Sequence, residues 1–247
     1  MSKQKKKQKL DPYVSRFLQL KCASDVLGAT HPIGNHVQKE ISESMAIIKR
    51  LKGIILKKPM EYTLYDMCAG NALTSVLAAH LLPVKMSIAI DIRKRKRSWE
   101  NVKRFTYAQE VDIHEINPED LDNPSIIIGV HACRSLAEQI VSLYLESDAE
   151  HLILMPCCAG NVKDREIPSI FTKQIGKHAA WAWQLARQSG GHIYEDTRCL
   201  SARNLVIVAS KTLKKSGGGT ENRLIKQLSK EHRKRAKVLA KLRHTTT

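Results

Sequence analysis

The sequence predicts an α/β fold, a mostly parallel sheet with a reversed C-terminal strand, preceded by a helical lead-in and followed by a basic helix. Three observations carry this. From about residue 59, short apolar runs alternate with amphipathic helical stretches, the texture of a parallel sheet covered on both faces. The last two strand-like runs leave no room for a helix between them, so they pair antiparallel. The charge of +17 sits almost wholly at the two ends of the 247-residue chain, which leaves a nearly neutral middle to fold.

Residues 11–32 mix polar and apolar positions without a clean period. Asn35 followed by Gln38 fits a capping box, which opens a helix whose apolar stripe is Val37, Ile41, Met45, Ile48, Leu51 and Ile55. Tyr62–Met67 reads as a strand, Leu73–Leu82 as a helix and Met86–Ile92 as a strand. A helix is expected around Trp99–Tyr107 and a strand over residues 109–113. Ser125–His131 is a strong strand, Leu136–Leu145 a helix and Leu152–Met155 a strand. Thr172–Gln188 reads as one helix stopped by Gly190-Gly191, and His192–Asp196 and Asn204–Ser210 form the final pair. The sum is a Rossmann-like sheet. The expected organisation is a disordered basic tail (1–10), a helical lead-in (11–58), the α/β domain (59–212), and a linker with a basic C-terminal helix (213–247).

Residues 1–10 hold five Lys and no acid, and residues 211–247 hold twelve Lys and Arg against Glu221 and Glu231. The 200 residues between them hold 24 basic and 22 acidic side chains. Beyond the Gly217-Gly218-Gly219 linker, Ile225, Leu228, Ala236, Leu239 and Leu242 recur at helical spacing among cations. A polyanion, RNA first, is the expected partner of such ends, because phosphate contacts release counterions; a solvated tail is the bland alternative. The apolar runs fall short of the roughly 18 residues a membrane span needs, and no membrane partner is expected. Six irregularly spaced cysteines do not make a disulfide scaffold. They point to a reducing, cytoplasmic setting, or to the nucleus or nucleolus in a eukaryotic cell.

In open α/β sheets, ligands collect at the carboxyl ends of the strands. The first strand ends in Asp66, followed by the small-residue turn Cys68-Ala69-Gly70-Asn71-Ala72. Asp66 could take an ammonium, and Gly70 lets the backbone approach a ligand. Asp91, at the end of the second strand, could accept both hydroxyl protons of a ribose, and Asp112 could bond an adenine amino group. A dinucleotide site would want G-x-G-x-x-G, and only Gly70 is present. S-adenosyl-L-methionine carries no phosphate and needs fewer glycines. The competing reading makes the three acids ordinary loop starters.

Asp66–Thr74 (DMCAGNALT), Gly129–Leu136 (GVHACRSL) and Met155–Cys158 (MPCC) resemble class I S-adenosylmethionine-dependent methyltransferases of the HAC/PCC-motif type. That group includes methyltransferase-like proteins, the glutathione S-transferase C-terminal-domain-containing proteins and the tRNA ribose 2′-O-methyltransferases. The resemblance spans residues 35–210. It implies a seven-stranded sheet, S-adenosylmethionine as cofactor with contacts from Asp66, Cys68, Gly70, Asp91 and Asp112, and His131 near the methyl group. Arg134 departs from the group, whose members usually have Gly there.

His131 and Cys133 end the fourth strand, and Pro156-Cys157-Cys158 end the fifth, so one cleft should take both. His131 is the candidate catalytic residue, either as a base for a ribose hydroxyl or as a residue that only lines the pocket. The cysteines read as small residues at a crowded strand end. A metal site with His131, Cys133, Cys157 and Cys158 as ligands is the weaker alternative; no metal is expected, because adjacent cysteines do not easily face one ion and no C-x-x-C pair exists. Arg93-Lys94-Arg95-Lys96-Arg97 follow Asp91 directly, at an expected helix start, and are candidate substrate contacts together with Pro156, Cys157 and Cys158. Asn71 joins the cofactor set. The function these residues predict is a methyltransferase acting on RNA, tRNA or rRNA. The alternatives are an RNA-binding or assembly protein with a non-catalytic methyltransferase fold, and a methyltransferase for a protein or small molecule.

Overall fold

A computed structural model describes residues 11–32, 34, 36–160, 162 and 169–211. The basic segments 1–10 and 212–247, the cap residue Asn35 and Asn161 lie outside the described residues, and so does the expected C-terminal helix.

Three helices come first: α1 (Pro12–Leu18), α2 (Ala23–Thr30) and α3 (Val37–Ile55). Asp11 starts α1, its carboxylate accepting from the backbone N–H groups of Tyr13 and Val14 while Pro12 occupies the first turn. The sheet follows, with β1 (Thr63–Met67), α4 (Leu73–Leu81), β2 (Met86–Asp91), β3 (Phe105–Gln109), β4 (Ser125–Val130), α5 (Ser135–Glu146), β5 (His151–Met155), α6 (Ser169–Ile175), α7 (Lys177–Ser189), β6 (His192–Glu195) and β7 (Leu205–Ser210). The strand order is β3-β2-β1-β4-β5-β7-β6. The first five strands pair in parallel, and β7 runs antiparallel to both β5 and β6. This is the Rossmann-like, seven-stranded, mostly parallel sheet with a reversed C-terminal strand.

Strand alternation sorts the core into two layers. Leu64, Ile126, Ile128 and Ile153 face α1–α4 in one cluster. Tyr65, Ile127, Leu152 and Leu154 face α5 and α7 in the other. Each fully buried Ile or Leu contributes about 1.5–3 kcal/mol. The lead-in helices share the first cluster, since Phe17, Val26, Ile47 and Leu51 are all fully buried there. Among the described residues no helix is long and apolar enough to cross a membrane.

Four expectations need correction. Residues 99–107 are not a helix: the chain turns through Trp99–Arg104 and then runs as β3 over Phe105–Gln109. The third strand therefore lies four residues before the expected 109–113. Aromatic and β-branched Phe105, Thr106 and Tyr107 suit a pleat, and Trp99 stacks on Tyr107 at 3.9 Å, so the helical spacing is that of a loop folded over a strand. For the same reason Arg93–Arg97 sit in an extended loop and not at a helix start. Thr172–Gln188 is not one helix, because Gly176 adopts φ +83° and divides α6 from α7.

Candidate active site

The turn after β1 is built from residues in the left-handed region. Cys68, Gly70 and Ala72 have φ of 60°, 59° and 62°. Only glycine takes that conformation freely, and each of the other two costs roughly 1–2 kcal/mol. The turn is held from three sides. Ala69 N–H donates to the Ile90 carbonyl at 2.9 Å, Gly70 N–H donates to Asp91 Oδ2 at 2.8 Å, and the Tyr107 hydroxyl donates to the Gly70 carbonyl at 2.7 Å.

A cavity of about 340 Å³ opens beside this turn. One wall comes from the strand ends, with Asp66, Cys68, Gly70, Asn71 and His131; the other comes from α3, with Glu40, Glu43 and Ser44. Arg93, Arg95 and Arg97 reach in from the β2–β3 loop. Asp91 lies beneath the turn, where its carboxylate also accepts from the Arg93 backbone N–H (2.9 Å) and from Arg93 Nε (3.1 Å). Burial pushes the Asp91 carboxyl up, but the bonds from Arg93 and Gly70 outweigh it and hold the group below its ordinary range. Asp112 caps the short helical turn Ile113–Glu115 through the His114 N–H and stands outside the cavity wall. Its charge still reaches Cys68, whose thiol burial pushes to about 12.

Asp66 is the least solvated of the three strand-end acids, only 2% exposed. The Ser75 hydroxyl of α4 bonds one of its oxygens, while Oδ1 is buried with no partner among the described residues. Burial raises its carboxyl to about 7.

The α3 wall has no counterpart among the expected site residues. Glu43 is 1% exposed and its carboxylate bonds His131 Nε2 across the cavity, while Lys39 Nζ lies 3.8 Å from its other oxygen. Glu40 Oε2 accepts from Asn71 Nδ2 at 2.9 Å, tying the helix to the strand-end turn. Ser44 bonds Thr74 of α4 at 2.9 Å. A sign exists in the sequence: Ala46 and Ile47 extend the apolar arc of α3 beyond the single stripe, round to the side that carries Glu43.

The five cations do not act together. Arg93, Arg95 and Arg97 line the cavity, Lys94 pairs with Glu110 at 3.1 Å, and Lys96 lines a neighbouring cavity of about 310 Å³ with Trp99 and Tyr107. Pro156, Cys157 and Cys158 stand outside the main cavity wall. The Pro156 carbonyl accepts from His178 Nε2 at 2.8 Å. Contrary to the expectation that adjacent cysteines diverge, Cys157 Sγ lies 2.7 Å from Cys133 Sγ, and Cys158 Sγ is 3.5 Å from both. The turn that follows Pro156 brings both thiols to one side. Of the two tryptophans spaced two apart, Trp181 is fully buried and packs against Gly160, where an added Cβ would come within 2.5 Å of the ring. Trp183 carries the Arg187 guanidinium 4.8 Å from its ring.

A family of methyltransferase domains matches residues 37–165, more than half of the chain. The chain belongs to the methyltransferase-domain family. Among curated proteins none matches it significantly. Solved structures resemble the methyltransferase distantly. The magnesium protoporphyrin IX methyltransferase of Synechocystis, solved with bound SAH, is 15% identical, with 80% of this chain and 97% of that one covered and a TM-score of 0.44. The methyltransferase domain of bacterial CtHen1 is 11% identical, with 68% and 99% covered and a TM-score of 0.42. An S-adenosyl-L-methionine-dependent methyltransferase from Methanococcus maripaludis, itself named only by inference, is 16% identical, with 70% and 93% covered and a TM-score of 0.41. The fold rests on the strand order itself, not on these distant likenesses.

The cofactor expected from the sequence, S-adenosylmethionine, is a sulfonium amino acid joined to a nucleoside and would need strand-end residues that suit both parts. They fit with one rearrangement. The orphaned Oδ1 of Asp66 suits an ammonium, whereas Asp91 is buried beneath the cavity wall with both oxygens bonded to Gly70 and Arg93, so ribose hydroxyls would have to displace the exposed Arg93 side chain to reach it. Gly70, at φ +59°, keeps a side chain out of the approach. No pyrophosphate-binding run of glycines is present in the first turn.

Proposed function

We propose that the enzyme methylates RNA, at an acceptor that gives up a proton as it is methylated. The observation that carries this reading is the composition of one cavity: three arginines stand in the same wall system as the buried Glu43–His131 pair. Bound S-adenosylmethionine would supply a methyl group on a positively charged sulfur, so the protein need only align the acceptor, exclude water and take up a proton.

Glu43 defines the proton path. When His131 Nε2–H donates to the Glu43 carboxylate, the lone pair is left on Nδ1, and the buried carboxylate stabilises the imidazolium formed on proton uptake. A ribose hydroxyl needs such a base. Arg95 and Arg97 would hold the phosphates that flank it, Arg97 being steadied by its Nε bond to the Thr30 carbonyl at 3.1 Å. The neighbouring cavity, where Arg95, Lys96 and Arg97 surround the Trp99–Tyr107 stack, offers cations beside aromatic faces, a pairing that suits single-stranded nucleic acid. The basic ends of the chain would add non-specific affinity.

A second reading has its own support. Glu40 and Glu43 put two carboxylates on the acceptor wall, and a small cationic acceptor would pair with them. Labelled methyl transfer separates the two readings. With the full chain and labelled S-adenosylmethionine, label is expected in an RNA fraction and lost on ribonuclease treatment. Label confined to small molecules would replace the RNA reading with the second.

A further inference from the structure

The three thiols behind His131 take no part in the proposed reaction. Cys133 comes from the turn after β4, and Cys157 and Cys158 from the turn after β5, adjacent parallel strands in which Val130 pairs with Met155. At these two ends the three sulfurs lie within 4.8 Å of one another. The backbone is bent to achieve it, since His131 and Arg134, flanking Cys133, have φ of 63° and 49°, values that non-glycine residues rarely adopt. The thiols of Cys133 and Cys157 also lie 3.5 Å from the His131 carbonyl, so the cluster sits directly behind the residue that faces the cavity.

We propose that Cys133, Cys157 and Cys158 bind a thiophilic metal ion, zinc(II) being the reference, which fixes the ends of β4 and β5 and thereby the position of His131. Three thiolates at about 2.3 Å from a tetrahedral zinc stand roughly 3.8 Å from one another. The observed separations of 2.7, 3.5 and 3.5 Å need only a small opening to accept the ion. Zinc(II) with three thiolates carries a net charge of −1, and the cations of Arg134 and Arg203 both act on Cys158. Cys158 is exposed, which gives the ion a path in and leaves room for water as a fourth ligand. The other cysteines stay out of the site: Cys22, Cys68 and Cys199 are not among the converging thiols. Binding displaces the thiol protons to solvent and involves no change of oxidation state.

The test uses the full chain, reduced with a phosphine and dialysed against metal-free buffer. One zinc per chain is expected after loading and gel filtration, and cobalt(II) in its place should give a thiolate-to-cobalt charge-transfer band. Cys133→Ser, Cys157→Ser and Cys158→Ser should each lose the retained zinc and that band, while Cys22→Ser and Cys199→Ser keep both. If the serine variants fail to fold, alkylation of the natural chain decides the matter: zinc should protect Cys158 from iodoacetamide and a chelator should restore its reactivity. A reduced chain that binds S-adenosylmethionine but neither zinc nor cobalt would overturn the proposal. Zinc retained equally by all three serine variants would overturn it too. So would a Cys133–Cys157 disulfide in the untreated chain together with no zinc uptake after reduction, which would make the cluster a redox pair.

Discussion

The two walls of the cavity are built in different ways. The strand-end wall is backbone geometry: left-handed Cys68 and Gly70 line it with Asp66, backed by left-handed Ala72 and by Asp91 beneath the turn. The α3 wall is side chain only, with Glu40 and Glu43 reaching from an ordinary helix to Asn71 and His131. On the proposed reading, cofactor recognition would depend on the sheet and could not move far, whereas acceptor chemistry would sit on a helix that precedes the first strand and could change by single substitutions. The proposed function thus gives cofactor affinity to one wall and proton transfer to the other.

The largest expected effect on the strand-end wall is that of Asp91→Ala. Loss of charged hydrogen bonds to a ribose, at about 1.5–3 kcal/mol each, should weaken S-adenosylmethionine binding about 100-fold by calorimetry. An unchanged affinity would break the assignment of that wall to the cofactor.

Asp66→Asn separates binding from stability. Burial raises the Asp66 carboxyl to about 7, well above its unfolded value near 3.9. A raised carboxyl pKa means that the folded state prefers the protonated form. Asp66 therefore costs nothing below the unfolded pKa, and its cost grows through the window up to about pH 7. The Asn variant should melt higher than the natural chain, by more at pH 8 than at pH 5. Cofactor affinity in the natural chain should rise from pH 6 to pH 8 as the carboxylate forms, and the variant should show about tenfold weaker binding with no such rise.

Arg95→Ala with Arg97→Ala tests the edge where the walls meet. Without these two cations to neutralise phosphates of a single strand, the slope of log affinity for RNA against log salt should flatten by about 1.4, with cofactor affinity unchanged. An unchanged slope would leave these arginines without a phosphate role.

The smallest effect lies away from both walls. Asp11→Ala should lower stability by about 1 kcal/mol through loss of the α1 cap, measured by urea unfolding, with neither cofactor binding nor transfer altered at saturating ligand.

The strand-end wall is legible in the sequence because it follows from a topological rule. Alternating strands and helices place Asp66 and Asp91 at one sheet edge, whatever the details. The other wall is less legible: Ala46 and Ile47 carry the apolar arc of α3 round to Glu43, but reading a single apolar stripe leaves Glu43 on the solvent side. Its burial depends on α3 packing over the carboxyl end of the sheet, a tertiary fact. Trp99–Tyr107 misleads for a related reason, as an aromatic stack between a loop and a strand imitates helical spacing. The thiol convergence is hidden by adjacency, since the direction of Cys157 and Cys158 depends on a turn whose dihedrals the residue types do not dictate. In α1 the opposite holds: Asp11-Pro12 is a legible start signal in a stretch that otherwise has no clean period.

The most direct measurement is single-turnover methyl transfer at saturating S-adenosylmethionine to the acceptor fraction, RNA on the proposed reading, that takes up label, with Glu43→Gln and Asp91→Ala compared side by side. Glu43→Gln should bind the cofactor within about threefold of the natural chain yet transfer about 100-fold or more slowly, the range of a lost general base. Asp91→Ala should recover a near-natural rate once the cofactor saturates. Equal loss in both variants at saturation, or an undiminished rate in Glu43→Gln, would contradict the division of labour between the two walls.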